Sequence, residues 1–227
     1  MAMPANATIN LFSALPQRLS ALLFANAKPV HLEADQVLFV ADDPGDGCYR
    51  IEKGLLKVSI VSGSGDERIL AILGPGAIVG ELAVLDGLPR SASVLALRDS
   101  ELLFVSKAKF DQYAHNHPEL YQHLLMLLAS RLRDTNDVIA AESFLPLRGR
   151  VAVTLLELAE HFGESAGEDR IVIRQKIKQP DLAAMAGIAR ENLNRILTDW
   201  KRRKLVSETS GYYCLESKSA LEYEGHL

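Results

Sequence analysis

The sequence predicts an α+β chain made of an N-terminal antiparallel β-roll, one long helix and a C-terminal winged helix-turn-helix domain. Three observations carry that prediction. From Lys28 to Val105 short apolar runs alternate with Gly, Pro and Asp turns, the pattern of an antiparallel barrel or roll. From Pro118 to about Glu142 apolar residues recur at helical spacing. From Pro180 to Lys204 a short helical run, a glycine and a longer helical run follow one another. With 227 residues and 48% hydrophobic composition the chain has apolar material for two cores. The expected segments are 1–117 for the roll and its flanking helices, 118–145 for the long helix and a hinge, and 146–227 for the last domain.

Taken in order, Leu11, Leu15, Leu19, Leu22 and Leu23 predict an amphipathic helix over 11–26. Strands are expected at Val37–Val40, Cys48–Ile51 and Leu55–Val61, then, after the hairpin turn Gly63–Asp66, at Arg68–Leu73. Gly74-Pro75-Gly76 makes another turn, and Val94–Leu97 with Glu101–Val105 reads as a closing pair. Ser106 to Lys109 caps a short helix, and Pro118 opens the long one. Within it Leu125, Leu128, Leu132, Thr135 and Ile139 are spaced 3, 4, 3 and 4, the a/d pattern of a coiled coil; packing against its own roll is the other reading. Phe144-Leu145-Pro146 breaks that helix. Gly149–His161 reads as a helix, Gly163–Asp169 as a polar connector, and Arg170–Arg174 with Ser210–Leu215 as hairpin material beside the helix-turn-helix.

Composition narrows the classes of function. No run approaches the ~18 apolar residues of a membrane span, and no Lys or Arg precedes Arg18, so neither a membrane partner nor a signal peptide is expected and a cytoplasmic location is. Cys48 and Cys214 lie too far apart for metal or redox spacing and read as buried or idle thiols. The net charge of -4 conceals an asymmetry: residues 1–145 hold 12 basic and 17 acidic side chains, whereas residues 170–204 hold 10 basic and 3 acidic. A local basic field of that kind suits a phosphate backbone.

The stretch Gly80–Ser93 places two carboxylates, Glu81 and the turn residue Asp86, one arginine and two hydroxyls on a turn-punctuated segment. Backbone N–H groups at the start of a short helical turn beside the Arg90 guanidinium would suit a small phosphate. Glu81 has no reason to approach phosphate but accepts well from a sugar hydroxyl. The spacing alone fits equally a surface turn with a Glu/Arg ion pair. The run Gly80-Glu81-Leu82-Ala83, then Pro89-Arg90-Ser91-Ala92, resembles the phosphate-binding cassette of cyclic-nucleotide-binding domains. The resemblance implies that Glu81 holds the ribose 2′-hydroxyl and Arg90 the cyclic phosphate, with Gly80, Leu82, Ser91 and Ala92 completing the loop. It further implies that two long helices pair in a homodimer, that Thr135 and Asn136 contact the base, and that Arg131 pairs near Glu81.

On the predicted second helix of the helix-turn-helix, Arg190, Glu191, Asn194 and Arg195 share much of one face, while Leu193, Ile196, Leu197 and Trp200 supply the other. Arginine can read guanine bidentately and glutamate can accept from cytosine N4; an amphipathic helix with its charges in water shows the same pattern. Ala-Gly-Ile-Ala-Arg-Glu-Asn-Leu-Asn-Arg-Ile-Leu, residues 186–197, is similar to the recognition element of the cyclic-AMP receptor protein/fumarate-nitrate regulator superfamily. By that resemblance Arg190, Glu191 and Arg195 read a half-site of double-stranded DNA, and Lys201 with its basic neighbours serves phosphates. Ala189, where the family usually carries Ser or Thr, removes an N-cap, and Gln179 stands where a basic residue often touches the backbone.

The superfamily resemblance covers Leu11 to about Leu215 and implies a DNA-binding transcriptional regulator, with RNA polymerase as a further partner and the connector Gly163–Asp169 as the place to look for that contact. Its iron-sulfur branch uses cysteines near the N-terminus, and none precedes Cys48; its haem branch needs axial ligands, for which His31 is a lone candidate. No metal, haem or cluster is therefore expected, and no catalytic residue: no nucleophile or acid/base pair stands out. Cyclic AMP is the expected allosteric ligand, acting on a palindromic TGTGA-type site. Cyclic GMP is the alternative, because the Ser91 hydroxyl can accept from a guanine amino group. A nucleotide-regulated protein-interaction module is a third reading.

Overall fold

The computed structural model describes Ile9–Asn10 and Pro16–His226. The chain divides into two compact units, one of Asn10–Leu132 and the other of Arg133 onward together with Ile9. The first begins within β1 (Ile9–Asn10) and contains α1 (Gln17–Leu23), β2 (Lys28–Leu32), β3 (Val37–Phe39), β4 (Gly47–Val61), β5 (Glu67–Leu73), β6 (Ile78–Val79), α2 (Glu81–Asp86), β7 (Ser93–Ser106), α3 (Lys107–Asn116) and the first half of α4 (Glu119–Phe144). Its sheet is antiparallel with β4 at the centre, between β5 and β7; β2 and β3 pair with β7, and β6 pairs with β4.

Two expected strand pairs are single long strands. Cys48–Ile51 and Leu55–Val61 are joined in β4, and Val94–Leu97 and Glu101–Val105 in β7, which run side by side and bend together. Register shifts between Ile51 and Leu56 mark the bend, and Gly54 sits there at φ 103. A Cβ at Gly54 would lie 2.0 Å from Ser100 Oγ, so only glycine lets the two strands approach so closely. The strand β2 has no counterpart among the expected strands. The helix expected over 11–26 is observed as α1; Leu19 and Leu23 are buried and Leu22 is exposed, while Leu11 and Leu15 fall outside the described residues.

Alternation along the strands builds the interior of the roll from Leu32, Ile51, Leu56, Val79, Val94 and Leu102. A second apolar cluster joins Leu23, Phe110, Leu120 and Leu124 of the helices to Cys48, Ile78, Val84 and Val105. That cluster anchors α2 through Val84 and so fixes the Gly80–Ser93 stretch to the sheet.

The second unit holds the last part of α4, then α5 (Leu147–Phe162), β8 (Gly163–Ser165), β9 (Ile171–Ile173), α6 (Gln179–Ala186), α7 (Arg190–Arg202), β10 (Val206–Thr209), β11 (Tyr212–Leu215) and α8 (Lys218–His226). Pro146 is the N-cap residue of α5, which explains the helix break: its ring cannot continue α4 but suits a helix start. Gly187 at φ 62 ends α6 and turns the chain into α7. A four-stranded sheet in the order β10-β11-β9-β8 forms the wing side. The expected polar connector is part strand, since Gly163–Ser165 pairs with β9 as an edge. Helix α8 has no counterpart in the sequence expectations; it packs on α5 and buries Leu221. Among the described residues no helix is long and apolar enough to cross a membrane.

Candidate functional site

The first site is assembled where β6 runs into α2. Gly80 takes φ 81 as the N-cap residue of α2, and a Cβ there would lie 2.4 Å from Arg90 Nη1; both conformation and space demand glycine. Gly87, at φ 73, ends the helix, and Asp86 Oδ1 accepts from Leu88 N at 2.9 Å. This turn returns the chain so that Arg90 points inward, with only 2% of its side chain exposed.

Arg90 Nη1 donates to the carbonyls of Gly47 at 2.8 Å and Gly80 at 2.9 Å, and Nη2 donates to Asp46 Oδ1 at 2.8 Å. Its guanidinium lies 4.3 Å from the Phe39 ring centroid and 6.0 Å from that of Tyr49, within cation–π range. Nε is buried without a hydrogen-bond partner among the described residues. A buried donor without an acceptor costs about 1–3 kcal/mol, so this edge of the guanidinium suits an anionic acceptor such as a phosphate oxygen.

Glu81, 1% exposed, begins α2, where the helix dipole favours a carboxylate. It accepts from Arg131 Nη1, and Arg131 Nη2 donates to the Ile78 carbonyl at 2.7 Å. Behind the loop, Cys48 is wholly buried; desolvation first, and then the Glu81 carboxylate, push its thiol up to about 12, so it stays a neutral wall. Lys107 fastens the same assembly from α3: its backbone N–H reaches the Asp46 carbonyl at 2.9 Å and its Nζ the Val84 carbonyl at 2.5 Å.

Of the nine residues expected to bind ligand, the structure brings Gly80, Glu81, Arg90 and Arg131 into one bonded group. Leu82 and Ser91 are exposed beside it and Ala92 is buried. Thr135 and Asn136 lie on exposed positions of α4 in the part that belongs to the second unit. Sequence reasoning missed Asp46, Phe39 and Tyr49, which complete the surroundings of Arg90. No local signal marks them, because pairing of β3 and β4 with β7 and β6 creates their proximity.

In the second unit Arg190, Glu191, Asn194 and Arg195 are all exposed on α7, opposite buried Leu193, Ile196, Leu197 and Trp200. Ala189 gives α7 no side-chain cap. Arg195 donates to Asn192 Oδ1. Lys201 Nζ lies 3.0 Å from Glu208 Oε2 on β10, so its charge is matched locally. Behind α7, Asp199 is held by Arg148 of α5, and Glu224 of α8 by Arg148 and Arg203. The wing turn between β10 and β11 takes positive φ at Ser210 and Gly211, 54 and 86, the conformation of a tight hairpin.

A cyclic nucleotide-binding domain family matches residues 29–117, and a Crp-like helix-turn-helix domain family matches residues 149–223. A CRP-like cAMP-activated global transcriptional regulator of Mycobacterium tuberculosis is 31% identical over 215 residues, 95% of this chain and 92% of that protein. The chain belongs to the CRP/FNR family of transcription regulators. The cAMP-activated global transcriptional regulator CRP of Salmonella typhimurium is 34% identical over 160 residues, 70% of this chain and 75% of its own. Among solved structures, the c-di-GMP responsive global regulator CLP of Xanthomonas campestris aligns with TM-score 0.79 at 19% identity, covering 88% of this chain and 99% of that one, a likeness of fold alone. The chain is thus a cyclic-nucleotide-binding, DNA-binding regulator and not an enzyme. Within this CRP/FNR frame the buried Arg90 and Glu81 lie in the nucleotide domain, and the exposed face of α7 lies in the DNA domain.

Proposed function

We propose that the chain is a homodimeric transcriptional regulator switched by cyclic AMP, with Arg90 taking the cyclic phosphate and Glu81 the ribose 2′-hydroxyl. The observation that carries this reading is the buried Arg90 guanidinium with a donor left over, set beside a buried carboxylate at the start of α2. One charge and one sugar-hydroxyl acceptor match a ribose cyclic monophosphate. The mycobacterial and Salmonella relatives, both described as cAMP-activated, support the choice of base. Cyclic GMP is the second reading, on the exposed Ser91 hydroxyl beside Arg90.

Dimerisation is supported by α4. Leu125, Leu132 and Ile139 are 67%, 63% and 55% exposed along the a/d stripe, and covering each fully is worth about 1.5–3 kcal/mol. A second α4 supplies the matching stripe, with Thr135 and Asn136 placed along it as base contacts. Nucleotide then biases a two-state dimer whose α7 helices, through Arg190, Glu191, Asn194, Arg195 and Lys201, meet successive major grooves of a palindromic TGTGA-type site. Partnership with RNA polymerase follows from the same reading.

Calorimetric titration with each nucleotide, sedimentation, and a mobility shift on the palindrome with each nucleotide present test the proposal together. Expected are heat and a DNA shift with cyclic AMP, and a dimer before DNA is added. Heat with cyclic GMP alone would transfer the assignment to guanine, and heat with neither would overturn the ligand.

A further inference from the structure

Asp46 accepts from one N–H of Nη2, the nitrogen beside the Nε donor on which the phosphate reading rests. Its Oδ1 lies 2.8 Å from Arg90 Nη2, and its side chain is 67% exposed while that of Arg90 is 2% exposed. Arg90 does not need this contact to stay in place. Nη1 is held by the Gly47 and Gly80 carbonyls, the guanidinium stacks over Phe39, and the Arg90 backbone is pinned by exchanges with Asp42 and Asp43. An anion entering the Nε edge, which has no partner among the described residues, must share Nη2 with the Asp46 carboxylate, because a bidentate acceptor spans Nε and Nη2. The carboxylate and the incoming phosphate then carry like charge a few ångströms apart.

We propose that Asp46 is a specificity-determining residue: an internal anion that shares Arg90 with the ligand phosphate, lowers affinity for every phosphate, and lowers it most for those with two charges. The inference rests on the nucleotide reading of the Arg90 site. A cyclic phosphodiester carries one negative charge, whereas a terminal phosphate monoester carries about 1.5 to 2 at neutral pH. Repulsion from Asp46 therefore falls hardest on ordinary 5′-nucleotides. Because Asp46 is largely exposed, water and salt screen the interaction.

The test measures cyclic AMP and 5′-AMP affinities by calorimetry and competition for the full-length chain and for Asp46→Asn and Asp46→Ala, at low ionic strength and at 1 M salt. Asp46→Asn keeps the shape and an acceptor for Nη2 while removing the charge. At low salt it is expected to tighten cyclic AMP about three- to tenfold and to tighten 5′-AMP more, so that discrimination between them narrows. Asp46→Ala is expected to act in the same direction, and both gains should shrink toward unity at 1 M salt. Unchanged or weaker cyclic AMP binding in Asp46→Asn, or weakening in Asp46→Ala alone, would overturn the proposal and make Asp46 a positioning residue for Arg90. Equal gains for the two nucleotides would overturn its selective part. If neither the unaltered chain nor the variants bind either nucleotide, the nucleotide reading itself falls, which is a distinct result.

Discussion

The stretch around Arg90 and the face of α7 both present arginine and glutamate, but they hold those charges in opposite ways. Arg90 and Glu81 are buried, and both make ion pairs or hydrogen bonds with partners as far as 50 positions away in sequence. Arg190, Glu191, Asn194 and Arg195 lie in solvent on one helix, and the side-chain hydrogen bond that Arg195 makes is local, to Asn192 three positions earlier. The difference fits the partners proposed for them. A small ligand must recover its desolvation cost from a few preset groups, so the site is organised before the ligand arrives. A duplex offers many charges over a long surface, so exposed side chains on a rigid helix suffice and their order can be set on contact.

The sharpest way to break this comparison is to remove the buried charge. Arg90→Leu takes a hydrogen-bonded guanidinium from a desolvated site and is expected to cost about 2–5 kcal/mol in nucleotide affinity, abolishing a nucleotide-dependent DNA shift at ordinary concentrations. Circular dichroism should show a folded chain, since the interior of the roll is built from other residues. A normal titration in this variant would remove Arg90 from the site. The matching change on the exposed side is gentler. Arg195→Ala is expected to leave nucleotide binding intact and to cost about 1–3 kcal/mol of specific DNA affinity, read by mobility shift on the palindrome against scrambled DNA. Equal weakening on both sequences would mean that Arg195 touches phosphate rather than a base edge.

The same contrast explains what could be read from the sequence. The cassette turn and the helix-turn-helix are specified locally, by Gly80, Gly87 and Pro89 in one case and by Gly187 and the apolar spacing of Leu193, Ile196, Leu197 and Trp200 in the other. The bend of β4 over β7 reads in the sequence as separate strands, because Gly54 looks like a turn until its partner, Ser100, is known. Asp46 and Phe39 carry no sequence signal for a related reason: they reach Arg90 across the sheet rather than along the chain. Helix α8 is hard to see in the sequence because what packs and pins it lies far away along the chain, with Asp169 accepting from Ser217 and Ser219 at its start and Arg148 and Arg203 holding Glu224 near its end.

Lys201 is the exposed charge that least fits the comparison, and it gives the smallest expected effect. Its Nζ is matched by Glu208, whose carboxyl is held below its ordinary value of 4.5 first by the Gly211 N–H and then by Lys201. A depressed folded value means that the pair supports the wing above about the unfolded pKa and loses that support as pH falls through the folded one. At neutral pH the pair is therefore intact and the field that Lys201 offers to DNA is muted. Lys201→Ala is expected to lower affinity by no more than about 0.5 kcal/mol, equally on specific and scrambled DNA, and to change the slope of log affinity against log salt by less than the ~0.9 expected of a full phosphate contact. Glu208→Gln should do the reverse, freeing the ammonium and strengthening binding on both sequences with a steeper salt slope. A loss confined to the specific site in Lys201→Ala would instead give this lysine a reading role, and the reading surface would then extend nearly two turns beyond Arg195.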